Sequence, residues 1–280
     1  MRSHGVLNLL LECELKNTME YEVARLNGTR AIITGGAGAI GMATARAFLR
    51  EGAKVVIADM DTETVAKASA ALGAPGRAYG LTVDVTSAVD VQRMVDEAAA
   101  LMDGISALIN NAGTVARAPL AEMPEADIDR QIDVNLKGVV LCTRAVIPHL
   151  RGVTNASITS TSSQAGKRGW AEIAVYGASK AAVIGFSRCM AVELAPAIRV
   201  NSICPGHIGE EGMAWRGFDT RKSSDASTAS FGDAFARENI PLQRLQGADD
   251  IAAGFVYLTA LESKEITGVA LGIGGGVAMD

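Results

Sequence analysis

The feature that most constrains this chain is an alternation. From Asn27 onward, short apolar runs rich in β-branched residues are separated by longer, alanine-rich amphipathic stretches. Apolar runs without polar alternation suit strands covered on both faces, and the amphipathic stretches supply the covering helices. That rhythm predicts βαβ units feeding a parallel sheet. Strands are expected at Arg30–Thr34, Lys54–Ala58, Ala78–Val83, Ala107–Ile109, Ala156–Ser160, Arg199–Cys204 and Val269–Ile273, with helices at 40–51, 62–72, 87–102, 125–150, 174–194 and 248–260. The expected fold class is α/β: a doubly wound, seven-stranded parallel sheet with helices on both faces.

No internal repeat or low-complexity tract breaks the series, so residues 27–280 read as one domain and 1–26 as a poorly ordered N-terminal extension. Met19 stands just before the domain start, which makes 1–18 a candidate product of an upstream start codon or of cloning. One interval departs from the rhythm. Residues 207–240 hold glycine, serine, charge and the aromatics Trp215 and Phe218, and a polar insertion of this length in a compact domain suits a substrate lid.

Composition narrows the function classes. Hydrophobic residues make up 49% of the 280 and mean hydropathy is +0.21, which suits a globular chain and not a disordered one. A net charge of -5 offers no basic face for nucleic acid, and aromatics, at 4%, are too few for a base-stacking platform. No apolar run approaches the roughly 20 residues that cross a bilayer. Cys13, Cys142, Cys189 and Cys204 lack CxxC spacing and a matching histidine pattern, so no metal site is expected. Reduced thiols in a cytoplasmic protein fit them better.

The first strand runs into Thr34-Gly35-Gly36-Ala37-Gly38-Ala39-Ile40-Gly41, and an amphipathic helix follows. Glycines here let the chain turn tightly and bring its backbone close to a pyrophosphate, which sits against the free N–H groups of the helix start. A glycine cluster alone is an ordinary turn; its place between a strand and a helix of the first βαβ unit points to a dinucleotide. Asp59 closes the second strand 18 residues beyond Gly41, where a carboxylate can bond the adenosine ribose hydroxyls and repel a 2′-phosphate. Neither Met60 nor Gly38 supplies a basic group for that phosphate, so the expected cofactor is NAD and not NADP. Asp84 and Val85 follow the third strand, suited to the adenine amino group and ring. Asn110-Asn111-Ala112-Gly113 puts two amides and a glycine at the carboxyl edge of the sheet.

Tyr176 and Lys180 lie four residues apart in a segment that reads as helix, so both side chains leave one face. A free phenol has a pKa of about 10, and a cation beside it favours the phenolate. On many helices such a pair is merely solvated; here a nucleotide site precedes it.

With these pieces together, the chain from Asn27 onward resembles the short-chain dehydrogenase/reductase family, whose sheet is of the Rossmann type. The resemblance implies that Tyr176 is the general acid/base and that Lys180 lowers its pKa and holds the nicotinamide ribose. Ser163, 13 residues before Tyr176, fits the family serine, and Asn135 in Val-Asn-Leu-Lys-Gly fits the asparagine of the proton relay. Cofactor contacts are then expected from Gly35, Gly38, Ala39, Ile40, Gly41, Asp59, Met60, Asp84, Val85, Asn111, Ala112, Gly113, Tyr176, Lys180, Pro205, Gly206 and Ile208. Three positions depart from the pattern. Ala39 replaces a customary glycine, Glu210 stands where a threonine often bonds the nicotinamide carboxamide, and Gly274 stands in the usual Val-Asp-Gly-Gly.

On the substrate side, Gln164, Trp170, His207 and Trp215 are the expected pocket residues, each with an ordinary packing or loop role as the alternative. Apart from Lys167 and Arg168, few cations converge there, which favours a small or medium neutral secondary alcohol and its ketone. Two rivals stand beside this reading: an NADPH-dependent 3-oxoacyl thioester reductase, disfavoured by Asp59, and a non-catalytic NAD-sensing or scaffold protein, disfavoured by retention of all four catalytic residues. The resemblance further implies a homotetramer or dimer built on the helices at 125–150 and 174–194.

Overall fold

The structure is a computed structural model that describes residues 24–209 and 228–279. Strands β1 (Arg30–Thr34), β2 (Lys54–Asp59), β3 (Ala78–Thr82), β4 (Ala107–Asn110), β5 (Ala156–Thr161), β6 (Ile198–Pro205) and β7 (Ala270–Ile273) form one sheet in the order β3-β2-β1-β4-β5-β6-β7. Every neighbouring pair is parallel. All seven expected strands are present, each within one residue of its expected ends.

Eight α-helices are seen among the described residues: α1 (Ala39–Arg50), α2 (Thr62–Leu72), α3 (Ala88–Met102), α4 (Glu125–Ile132), α5 (Gly138–Leu150), α6 (Ala174–Leu194), α7 (Thr228–Asn239) and α8 (Ala248–Thr259). Local chemistry sets several of their ends. Asp61 caps α2 through Thr64 N, and Gly73 ends that helix in the left-handed region; Ser87 caps α3 through Asp90 N.

Two apolar layers sandwich the sheet, and strand pleating divides residues between them. Ile33 and Ile57 pack with Phe48 of α1 and Phe255 of α8 on one face. Ile32 and Val56 pack with Met94 of α3, Val146 of α5 and Met190 of α6 on the other. Adjacent residues of one strand are thus both buried, the physical reason these strands lack polar alternation. Each fully buried side chain of this size contributes roughly 1.5–3 kcal/mol.

Three features differ from the sequence expectation. The single helix expected over 125–150 is two helices joined by a π turn, Asp133–Lys137. Residues Thr228–Asn239 form α7 inside the interval expected as a substrate lid, where no helix was placed from the sequence. Of the apolar residues at its end, Ala236 and Ile240 are buried against Val277, a stripe too short to display a helical period. Packing also begins before Asn27: Leu26 is buried, and Arg25 pairs with Glu51 at 2.9 Å. Residues 1–23 and most of the interval expected as a lid lie outside the described residues.

Candidate active site

The order of strands reverses between β1 and β4, so the connections leaving their carboxyl ends diverge and open a crevice. The glycines after β1 divide into two kinds. Gly35 has a φ of +61°, and a Cβ there would stand 2.8 Å from Ala112 Cα. One on Gly36 would stand 2.6 Å from Ile57 Cβ, and one on Gly41 would collide with Gly35 O. These three are required by the fold itself. Gly38 is different: its Cβ would meet only Gly35 O, at 3.5 Å, yet the residue lines the crevice at the start of α1. Nothing in the protein's own packing demands a bare backbone there, whereas a group bound against the helix start would.

Asp59, at the end of β2, accepts Ala37 N through Oδ2 (3.1 Å) and Met60 N through Oδ1 (2.8 Å). Each oxygen keeps a second lone pair, and the residue lines the same crevice. Asp84 and Val85 fall just beyond β3, where Asp84 Oδ1 accepts Thr86 N and Thr86 Oγ1. Asn111 binds the crevice walls together: its Nδ2 donates to Gly35 O (3.1 Å), and its Oδ1 accepts from Thr161 Oγ1 (3.2 Å). Asn110 instead points inward and donates to Thr143 and Ser160.

At the far end of the crevice the expected catalytic residues meet. Ser163 follows β5; its hydroxyl accepts Ala165 N at 3.1 Å and stands near enough to the Tyr176 phenol of α6 to favour its ionised form. Lys180, one turn further along α6, is 2% exposed and donates to Thr161 O at 2.8 Å. Its Nζ lies 5.8 Å from the centre of the Tyr176 ring. Asn135 sits in the π turn, fully buried, with Nδ2 donating to Thr114 O and Ser179 Oγ and Oδ1 accepting Thr114 N. A Cβ on Gly113 would come 3.3 Å from both Asn135 Oδ1 and Lys180 Nζ, so this glycine is what lets the two approach.

Burial sets the electrostatics. It pushes the Tyr176 phenol above its ordinary value, while the Ser163 hydroxyl and the Arg117 charge pull it back down. Burial also holds the Lys180 ammonium down to about 8. In the protein alone burial is the larger influence on the phenol, because desolvation favours the neutral form of both groups. His207 is held down to about 4, first by burial and then by Arg117, and is neutral near pH 7.

Together these residues line a cavity of about 610 Å³, which spans Gly38, Ala39, Ile40, Asp59 and Met60 at one end and Ser163, Tyr176, Lys180, Pro205, Gly206 and Ile208 at the other. Val85, Ala112 and Gly113 line its middle. A cleft of this size lies in the range of small-molecule and cofactor sites. The residues fit a dinucleotide: a bare helix start, a carboxylate at the strand end and buried polar groups opposite.

The substrate-side residues fall elsewhere. Gln164 is 3% exposed and turned into the gap beside Gly206 and Gly274. Trp170 and His207 meet edge to face at 5.3 Å, and His207 meets Phe235 of α7 at 4.6 Å, an aromatic cluster beside the cavity. None of these three lines the cavity wall, and Trp215 lies outside the described residues. Lys167 and Arg168 donate to Ala270 O and Val277 O, which ties them to the C-terminal segment. Sequence reasoning missed Arg130, Val134 and Thr86 in the cavity wall, Ser179 behind Asn135 and Gln246 behind Gly206. Val134 and Ser179 lie inside motifs already singled out, beside Asn135 and Lys180, while Arg130, Thr86 and Gln246 belong to none and are brought in by the fold.

Among the described residues no helix is long and apolar enough to cross a membrane, and no cluster of potential metal ligands occurs.

A family model described as short chain dehydrogenase matches residues 29–220. The 3-oxoacyl-[acyl-carrier-protein] reductase FabG of Thermotoga maritima is 36% identical over 257 residues, covering 91% of this chain and all of that one. Galactitol 2-dehydrogenase of Agrobacterium fabrum is 35% identical, with 90% of this chain and 98% of that one covered. Sorbitol dehydrogenase of Cereibacter sphaeroides is 34% identical, with the same coverage. A crystal structure of a short-chain dehydrogenase/reductase from Brucella melitensis, titled glucose/ribitol dehydrogenase, superposes with a TM-score of 0.81 at 32% identity, covering 91% of this chain and 99% of that one. Relatives matched over nearly their full length, a matching family model and a solved structure that superposes over 91% of this chain leave one conclusion: this chain is an oxidoreductase of the short-chain dehydrogenase/reductase family.

Proposed function

We propose that this protein transfers a hydride between NAD(H) and a small or medium secondary alcohol or its ketone, with Tyr176 as general acid/base. The observation that carries this reading is the meeting of Ser163, Tyr176 and Lys180 at one end of the cavity whose other end is Asp59. A nicotinamide supplies the hydride acceptor or donor; the protein supplies the proton chemistry. Ser163 holds the substrate oxygen and Tyr176 takes or gives its proton. The Lys180 cation favours the phenolate and holds the ribose, and Asn135 keeps the lysine's surroundings fixed through Thr114 and Ser179. The cofactor contacts are those expected above, with Asn111 in the cavity wall and tied to Gly35 O, and with Gly41 acting through the turn behind the wall.

NAD is favoured over NADP because Asp59 offers a second lone pair on each oxygen and a negative charge where a 2′-phosphate would sit, with exposed Met60 beside it. A second reading, NADPH-dependent reduction of a 3-oxoacyl thioester, takes its support from the FabG relative. The names of the galactitol and sorbitol relatives support a polyol or related alcohol. Fluorescence titration with NADH and NADPH, followed by an alcohol screen read as NAD reduction, separates the two. Tight NADPH binding without NADH binding would sink the first reading.

We place the protein in the cytoplasm, where Cys142, Cys189 and Cys204, none of them in a disulfide among the described residues, suit a reducing environment. We also assign it a homotetrameric or dimeric assembly. The support is α6, whose Ala178, Ala181, Gly185 and Val192 form an exposed small-residue face suited to close helix packing.

A further inference from the structure

The turn after β6 is held from behind by one residue. Pro205, Gly206 and Ile208 line the cavity at its Tyr176 end, where the hydride chemistry must occur. Gln246, in the approach to α8, is 8% exposed and bonds this turn at three places. Its Oε1 accepts Gly206 N at 2.9 Å, its backbone N donates to His207 O at 3.0 Å, and its carbonyl accepts Gly209 N at 2.9 Å. Ile208 and Gln246 also form a parallel bridge.

These bonds differ in what a substitution can remove. The two backbone bonds survive any side chain at 246. Only the bond to Gly206 N depends on the glutamine, and Gly206 N has a second acceptor in Ile273 O at 3.0 Å. Losing the side chain therefore loosens the first residues of the turn without breaking its attachment to the fold. An oxygen acceptor of the same reach would restore the bond. The side chain itself lies behind the turn and does not line the cavity.

We propose that Gln246 is a positioning residue for the nicotinamide end of the cofactor, acting by clamping the Gly206 N–H so that Pro205–Ile208 present a fixed wall. This rests on the reading of the cavity as a nicotinamide dinucleotide site. Adenosine and pyrophosphate, at the Gly38 and Asp59 end, are beyond its reach, and this separation supplies the test.

Calorimetric titration of the full-length wild type, Gln246→Ala and Gln246→Glu with NADH and with ADP-ribose, which lacks the nicotinamide, measures the two ends apart. In Gln246→Ala the NADH affinity falls by up to roughly tenfold, the range set by one intramolecular hydrogen bond, while the ADP-ribose affinity stays at the wild-type value. Gln246→Glu, which keeps an acceptor oxygen, recovers most of the NADH affinity. Equal losses for both ligands would reveal general loosening and overturn the proposal, as would an unchanged NADH affinity in Gln246→Ala. A wild type that binds NADPH in place of NADH overturns the choice of cofactor alone; the clamp is then read in the same variants with NADPH against 2′-phospho-ADP-ribose.

Discussion

The carboxamide of Gln164 occupies the space that a side chain on Gly274 would need: a Cβ built on Gly274 falls inside the van der Waals envelope of Gln164 Nε2 and Cδ. Gly206 contributes the opposite wall, since a Cβ there would stand 3.0 Å from Gln164 Oε1. The departure from Val-Asp-Gly-Gly at Gly274 thus has a steric partner next in sequence to Ser163. Gln164 fills the C-terminal gap and leaves the substrate side of Ser163 to others.

Gly274→Ala should therefore destabilise the protein by about 1–3 kcal/mol, the usual range for overpacking, because the amide has little room to retreat. In a Gln164→Ala background the same substitution should be nearly neutral. Urea denaturation of the two single variants and the double variant gives the coupling directly, and a value near zero would mean that the two sites are independent.

Tyr176→Phe removes the hydroxyl proposed to carry the proton but keeps the ring in place. Turnover should fall by about 10²–10⁴-fold or more, the range for a general acid/base, while NADH binding stays within a factor of about two. Steady-state rates and a fluorescence titration on one preparation check both halves; undiminished turnover would remove Tyr176 from this role.

Asp59→Ala removes the charge that opposes a 2′-phosphate. The ratio of kcat/KM for NADP to that for NAD should rise by at least about tenfold, since like charges a few ångströms apart near a protein surface cost on the order of 1–4 kcal/mol. Part of the gain will be offset by the loss of the acceptor for Ala37 N and Met60 N. No change in that ratio would mean that the ribose is recognised elsewhere.

Lys180 makes stability depend on pH in an unusual direction. Its folded-state pKa, about 8, lies below the ordinary 10.5, so between those values the unfolded chain binds more protons than the folded one. Stability from this group accordingly rises with pH through that window, and the buried cation costs about 3 kcal/mol below it. Lys180→Met should gain on the wild type at pH 7 and lose most of that advantage by pH 9.5 in paired denaturation curves. An advantage that is the same at both values would contradict the shift.

The sequence by itself determined the sheet, the glycine turn after β1 and the pairing of Tyr176 with Lys180 on one helix face. Each of these depends on short-range pattern: burial on both faces removes polar alternation from the strands, as at Ile32 and Ile33, and helical spacing puts Tyr176 and Lys180 on one face. What depends on distant parts of the chain was decided only by the tertiary structure. The π turn at Asn135 has no local signature, because its bonds run to Thr114 and Ser179. Gln164, Trp170 and His207 were legible as residues near the site but not as residues outside its wall. Their directions are set by the free space beside Gly274 and by Phe235 of a helix whose apolar stripe is too short to announce itself. The balance between burial and charge on Tyr176 also belongs to the packed protein, since desolvation exists only once the chain has closed around the phenol.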